Sequence, residues 1–136
     1  MDTARPEILA HAERAAQAAA QMRARASAPE PIALHKSTSN LFRDRREDGR
    51  RRLDLGDMRH VIGADAQAGW VDVEGMITYE DLVAWTLPRG RMPAVVPQLK
   101  TITVGGACAG VGIEATSFRH GLVHDTLQEI EVLLPQ

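Results

Sequence analysis

The residues best suited to chemistry lie in Thr103–Gly121, TVGGACAGVGIEATSFRHG, where five of nineteen positions are glycine: Gly105, Gly106, Gly110, Gly112 and Gly121. Glycine loses more conformational freedom on folding than any other residue. Such a density therefore marks main chain that turns tightly or approaches something closely. Successive N–H groups in a run of this kind converge on an anion, most often a phosphate. No Gly-Lys-Ser/Thr follows, which excludes a P-loop. The stretch suits the pyrophosphate of a dinucleotide cofactor.

A second polar loop is Lys36-Ser37-Thr38-Ser39-Asn40. Its small hydroxyl and amide side chains suit phosphate oxygens, and they equally suit a turn and helix cap. Six arginines follow in Arg43–Arg52, interleaved with Asp44, Glu47 and Asp48. A nucleic-acid patch would need stacking aromatics, and Phe42 stands alone. A solvated turn with Gly49 at its tip is the better reading, so no nucleic-acid partner is expected. No pair of catalytic acids, metal-ligand cluster or paired nucleophile emerges, so catalytic residues are unassigned and no metal is expected. Cys108 sits inside the glycine run with no identifiable base, as a small packing residue does.

The chain of 136 residues is one domain's worth, long enough to bury a core. It is 44% apolar and 25% charged, which argues against disorder. A net charge of −2 gives no general drive toward nucleic acid or anionic membranes. With 4% aromatics, the core must be built from Val, Leu, Ile, Ala and Met. The single cysteine excludes an internal disulfide and fits a reducing compartment, so a cytoplasmic location is expected. No membrane span or signal peptide is visible.

Positioning elements follow from periodicity. Residues 6–26 read as a helix, with Pro6 at its first position and Glu7 in its first turn. Its docking stripe should be Ile8, Ala12, Ala15, Ala19 and Met22, with Arg14, Arg23 and Arg25 off it. Short strands are expected at Ile32–His35, Leu53–Leu55 and Val61-Ile62, then a turn at Gly63–Gly69. Trp70–Glu74 alternates, with Val71 and Val73 on one face and Asp72 and Glu74 on the other. Thr78 opens a helix with Asp81 three residues on, close to a capping box, and Pro88 ends it. Pro93–Pro97 reads as a short extended piece and Leu127–Leu134 as a strand. Consecutive central strands without intervening helices make this α+β ordering.

Gly110–Ala115 fits GxGxxG/A, with Glu129 and Glu131 about 20 residues on. The context opposes a Rossmann unit: no apolar strand precedes the motif and no sustained helix opens on it. The larger segment PQLKTITVGGACAGVGIEATSFRHG, with Leu122, His124 and Val132-Leu133-Leu134, resembles something else. It is similar to the second phosphate-binding loop of the FAD-binding domain in vanillyl-alcohol oxidase and p-cresol methylhydroxylase type (PCMH-type) flavoproteins. Within that superfamily it most resembles the delta-24 sterol reductase group and its bacterial relatives. Leu34–Arg43 resembles the first cofactor loop of those relatives. Val71–Glu74, Ile77–Leu87 and Met92–Pro97 resemble the stretch between the loops. The resemblance covers about residues 31–136.

The resemblance implies an α+β PCMH-type fold: its first subdomain plus the start of the second, truncated. It divides the chain into a helix and connector, 1–30, and a partial FAD-binding domain, 31–136. It implies noncovalent FAD, held by Ser37, Thr38, Ser39 and Asn40 in the first loop and by Gly105, Gly106, Gly110 and Gly112 through main-chain N–H groups. Thr103 and Ser117 would supply hydroxyls; Val104, Ile113 and Glu114 complete the second loop, and Pro97 lies toward the flavin. Function then follows as the FAD-binding portion of an oxidoreductase. The remaining C-terminal half or a separate substrate domain would be its partner, and the chain alone would lack a complete active site. The alternative is a noncatalytic nucleotide- or partner-binding module. Departures from the pattern are Lys36 for glycine, Gly75 for proline, Ala115 for serine and His120 for tyrosine. Covalent flavin attachment in the superfamily commonly uses histidine, for which His35 and His120 are candidates by residue type alone.

Overall fold

The fold is described from a computed structural model over residues 4–26, 30–35, 51–110 and 112–134. Ser37–Asn40, expected as the first cofactor loop, and the arginine run up to Arg50 lie outside the described residues. Helix α1 spans Ala4–Ala26, and strand β1, Ile32–His35, pairs in parallel with β2, Arg51–Asp54. Strands β3, Val61–Asp65, and β4, Trp70–Val73, form an antiparallel hairpin. Helix α2, Tyr79–Thr86, runs into a 3₁₀ turn at Leu87–Arg89. Helices α3, Val104–Ala109, and α4, Ser117–His120, follow, and a 3₁₀ turn at Val123–Thr126 closes the fold.

The core is aliphatic, as the composition requires. Ile77, Leu82, Val95, Ala107 and Val123 are buried together with Tyr79, and Val61, Val71, Val73, Ile102 and Val104 pack around them. Thr78 caps α2 as its spacing predicts: its Oγ1 accepts the Asp81 N–H at 3.1 Å and donates to Asp81 Oδ2 at 2.8 Å. The hairpin is longer than its sequence suggests. β3 continues through Gly63 to Asp65, and Asp65 Oδ1 gathers the N–H groups of Gln67 and Ala68 in the turn. Arg91 reaches the tip, donating from Nε and Nη2 to the Ala66 carbonyl.

Helix α1 docks on a face turned from the expected stripe, which leaves Ala12 exposed and Ala15, Ala19 and Met22 half-buried at its edge. Ile8 stays half exposed, while His11, Arg14, Ala18 and Gln21 face the sheets. The reason is hydrogen bonding. Gln21 donates to the Asp54 carbonyl at 2.9 Å and accepts the Asp54 N–H at 3.0 Å, so its amide acts as one more strand residue beside β2. Deeper in, the Glu74 carboxylate is wholly buried. Its Oε1 takes Arg14 Nε at 2.7 Å and His11 Nδ1 at 2.9 Å, and its Oε2 takes the His60 N–H at 2.8 Å and His60 Nδ1 at 2.9 Å.

The alternation that puts Glu74 on an exposed face therefore fails. β4 ends at Val73, and the turn at Gly75-Met76 swings the next side chain inward, where four donors receive it. Burial pushes the Glu74 carboxyl up, but hydrogen bonds from His11, Arg14 and His60 outweigh it and hold the group below its ordinary value. Two further expectations fail. Pro93–Pro97 forms no strand, because bends at Ala94 and Val95 carry Val95 into the core. Leu127–Leu134 forms no strand either; among the described residues no strand lies beside it to pair with, and Ile130, Val132, Leu133 and Leu134 are exposed.

Glu74→Ala leaves Arg14 packed without its carboxylate and is expected to cost about 3–5 kcal/mol in urea unfolding. Gln21→Ala removes exposed hydrogen bonds and should cost about 1 kcal/mol. Because Glu74 is held below its ordinary value of 4.5, its contribution is complete above that pH and is lost as pH falls through the lowered folded value. Urea midpoints measured from about pH 6 down to about pH 3 should therefore fall less steeply in Glu74→Gln than in the parent.

Candidate functional site

The glycine run is not a loop throughout. Thr103, buried and extended, caps α3 by accepting the Gly106 N–H at 3.2 Å, and residues 104–109 follow as a helix. Two glycines in six residues hide this helix from propensity, and tertiary contact supplies what propensity lacks. The Gly105 N–H donates to the Gly75 carbonyl at 2.7 Å, and the Val104 N–H to the Ile77 carbonyl at 2.9 Å. Thr103 also bridges Thr78, so the starts of α2 and α3 lie side by side. The Tyr79 N–H donates to the Ile102 carbonyl at 2.9 Å within the same seam.

This crossing demands glycine at one position. A Cβ on Gly105 would stand 2.8 Å from the Gly75 oxygen, whereas a Cβ on Gly75 would meet Gly105 at 3.8 Å, an ordinary contact. Glycine at 105 is thus first a requirement of backbone packing. Gly121 is different: its φ of 77° is a left-handed turn that ends α4.

Beyond α3 the chain returns along the turn formed by residues 94–99. Pro97 is buried there. Glu114 Oε2 accepts the Gln98 N–H at 3.1 Å, and Thr116 Oγ1 donates to the Ala94 carbonyl at 2.8 Å. Ser117 Oγ accepts the Glu114 N–H at 2.9 Å. Pro97, Gly112, Ile113, Glu114 and Ser117 are thereby brought into one neighbourhood. Thr103, Val104 and Gly105 instead line the seam against Gly75 and Ile77. Gly106 lies in the first turn of α3 and Gly110 just past its end, and the Gly110 N–H donates to the Gly106 carbonyl at 3.1 Å. His35 and His120 are exposed on separate elements. The sequence marked Gly75 only as a departure from the family pattern and put Glu74 on an exposed face, and nothing in it singled out Ala94.

Three main-chain donors of the run, at Gly105, Gly106 and Gly110, are therefore engaged inside the chain. Among the described residues the Ser117 hydroxyl hydrogen and the Gly112 N–H have no acceptor, and Ile113 beside them is 78% exposed. Two donors next to an open apolar side chain fit one edge of a phosphate-bearing cofactor that also carries an aromatic ring. Tyr79 is buried in the core, and Cys108 packs against that core. Burial, with smaller contributions from Cys108 and Glu114, pushes the Tyr79 phenol up to about 12, and burial pushes the Cys108 thiol up. Both are protonated at neutral pH, so Cys108 is a poor nucleophile. Among the described residues no cluster could hold a metal ion, and no helix is long and apolar enough to cross a membrane.

The FAD binding domain family matches residues 6–136, and the chain belongs to that family, whose cofactor is FAD. It is 33% identical over 82 residues to a Delta(24)-sterol reductase of Pisum sativum, covering 60% of this chain and 14% of the relative. The Delta(24)-sterol reductase of Homo sapiens is 31% identical over 84 residues, 57% of this chain and 15% of the relative. Cytokinin dehydrogenase 6 of Oryza sativa subsp. japonica is 28% identical over 142 residues, 96% of this chain and 26% of the relative. The chain thus spans about a seventh to a quarter of the length of these relatives. No solved structure matches it.

Gly105→Ala should destabilise the fold by about 1–3 kcal/mol, because the new methyl meets main chain that cannot yield. Gly75→Ala, whose methyl has room, should change the urea midpoint far less. Cys108 should react with a disulfide reagent near pH 7 much more slowly than after urea unfolding.

Proposed function

We propose that the chain is the cofactor-binding portion of an FAD-dependent oxidoreductase and holds FAD noncovalently. The observation that carries this reading is the tie between the Pro97-Gln98 turn and the Gly112–Ser117 segment. It sets two donors that have no acceptor among the described residues near an exposed apolar side chain, within a chain of the FAD binding domain family. FAD, when bound, supplies hydride and electron transfer. The chain's own residues bind and orient it. Ser37, Thr38, Ser39 and Asn40 form one side of the clamp. On the other side Thr103, Val104, Gly105, Gly106, Gly110 and Glu114 fix the main chain, and Gly112, Ile113 and Ser117 meet the cofactor. On this side Ser117 Oγ–H and the Gly112 N–H face the phosphates, and Ile113 excludes water from them. Pro97 borders the flavin.

The longer relatives support a second component of this reading. The rest of the pocket and the substrate-binding surface belong to further polypeptide, which is this chain's partner. A cytoplasmic setting suits its one unpaired thiol.

The test is titration of the purified protein with FAD, followed by flavin fluorescence and then gel filtration. Saturable binding that is lost on the column is expected. Flavin retained at one per chain would overturn the need for a partner, and absence of any saturable change with FAD or ADP would overturn the cofactor reading.

A further inference from the structure

One side chain joins the two parts of the described site. Glu114 Oε2 accepts the Gln98 N–H at 3.1 Å, directly after buried Pro97. The Glu114 main chain is locked at the same time: its N–H donates to Ser117 Oγ and its carbonyl accepts the Ser117 N–H, both at 2.9 Å. Thr116, two residues on, adds the bond to the Ala94 carbonyl. An ionised carboxylate can only accept hydrogen bonds and repels other anions, so it is the wrong group to touch a pyrophosphate. It is the right group to hold a main-chain N–H of a neighbouring turn.

We propose that Glu114 is a positioning residue of the FAD site: its carboxylate fixes the Pro97-Gln98 turn against the Gly112–Ser117 segment, and it makes no contact with the cofactor. This rests on the FAD reading above. Without the tie, the turn and the segment would each have to be ordered when FAD binds, and affinity would fall by that cost. Glu114→Gln keeps an oxygen acceptor for the Gln98 N–H and removes the charge. Glu114→Ala removes both.

Two measurements on the full chain separate the outcomes: amide hydrogen exchange at Gln98, and FAD titration by flavin fluorescence. In Glu114→Ala, Gln98 exchange should quicken by about fivefold or more as its hydrogen bond is lost. FAD affinity should fall by about fivefold as ordering is transferred to the binding step. In Glu114→Gln both should return to within about twofold of the parent, since a neutral acceptor retains the bond. Unchanged FAD affinity in Glu114→Ala, with Gln98 exchange quickened, would overturn the positioning role. Equally weakened affinity in both variants, with Gln98 still protected in Glu114→Gln, would overturn it in favour of direct contact through the charge. If the parent protein binds no FAD, the cofactor reading fails and the positioning role falls with it; Gln98 exchange then reports on the tie alone.

Discussion

The main chains of Gly75 and Gly105 meet at a distance that a side chain on Gly105 would prevent, and the fold is assembled around that crossing. The Gly105 N–H bonds to the Gly75 carbonyl, and the bonds from Val104 to Ile77 and from Tyr79 to Ile102 flank the bridge between Thr78 and Thr103. One step before the crossing, Glu74 turns inward to collect α1 through His11 and Arg14. A few residues after it, Thr78 starts α2. Six consecutive positions, Glu74 to Tyr79, thus anchor three helices and contribute Ile77 and Tyr79 to the core. The energetic character differs along this stretch. At Glu74 it is a charge that must be matched by donors; at Gly75 it is excluded volume; at Ile77 it is removal of apolar surface from water.

For the site, the consequence is rigidity of one wall. α3 is fixed at its start by the seam, and Gly110 ends it with a bond to the Gly106 carbonyl. Glu114 and Thr116 then fasten the return to the 94–98 turn. A cofactor loop is useful when its donors are held in place before the ligand arrives, because ordering costs are then met in folding and not in binding. The glycines serve this in two ways. Gly105 makes the anchor possible, and Gly112 leaves the main chain bare beside Ile113 and Ser117.

Much of this organisation was legible in the sequence. The order and spacing of the PQLKTITVGG and GIEATSFRHG pieces with PAVVP before them pointed to an FAD-binding domain, which the family match bears out. α1, β1, β4 and the cap of α2 announce themselves by periodicity and by Thr78 with Asp81. Other features depend on contacts remote in sequence. α3 contains two glycines and forms because Thr103 caps it and Gly75 receives it. The docked face of α1 is polar because its partners are a buried carboxylate and a strand edge, which no hydrophobic period can report. Glu74 follows a sound alternating pattern that simply stops one residue earlier than the pattern suggests. Residues 127–134 have strand-like composition, but composition does not make a strand where no partner strand is at hand.

In our proposal Gly112–Ser117 and the turn at Gln98 form a preorganised edge for FAD. Amide chemical-shift mapping of the chain during addition of FAD tests it most directly. The changes among residues 51–134 should concentrate at Gln98, Gly112, Ile113 and Ser117, with the α1–Glu74 region unmoved. Changes centred on α1 and β2, or none at the glycine run, would contradict it.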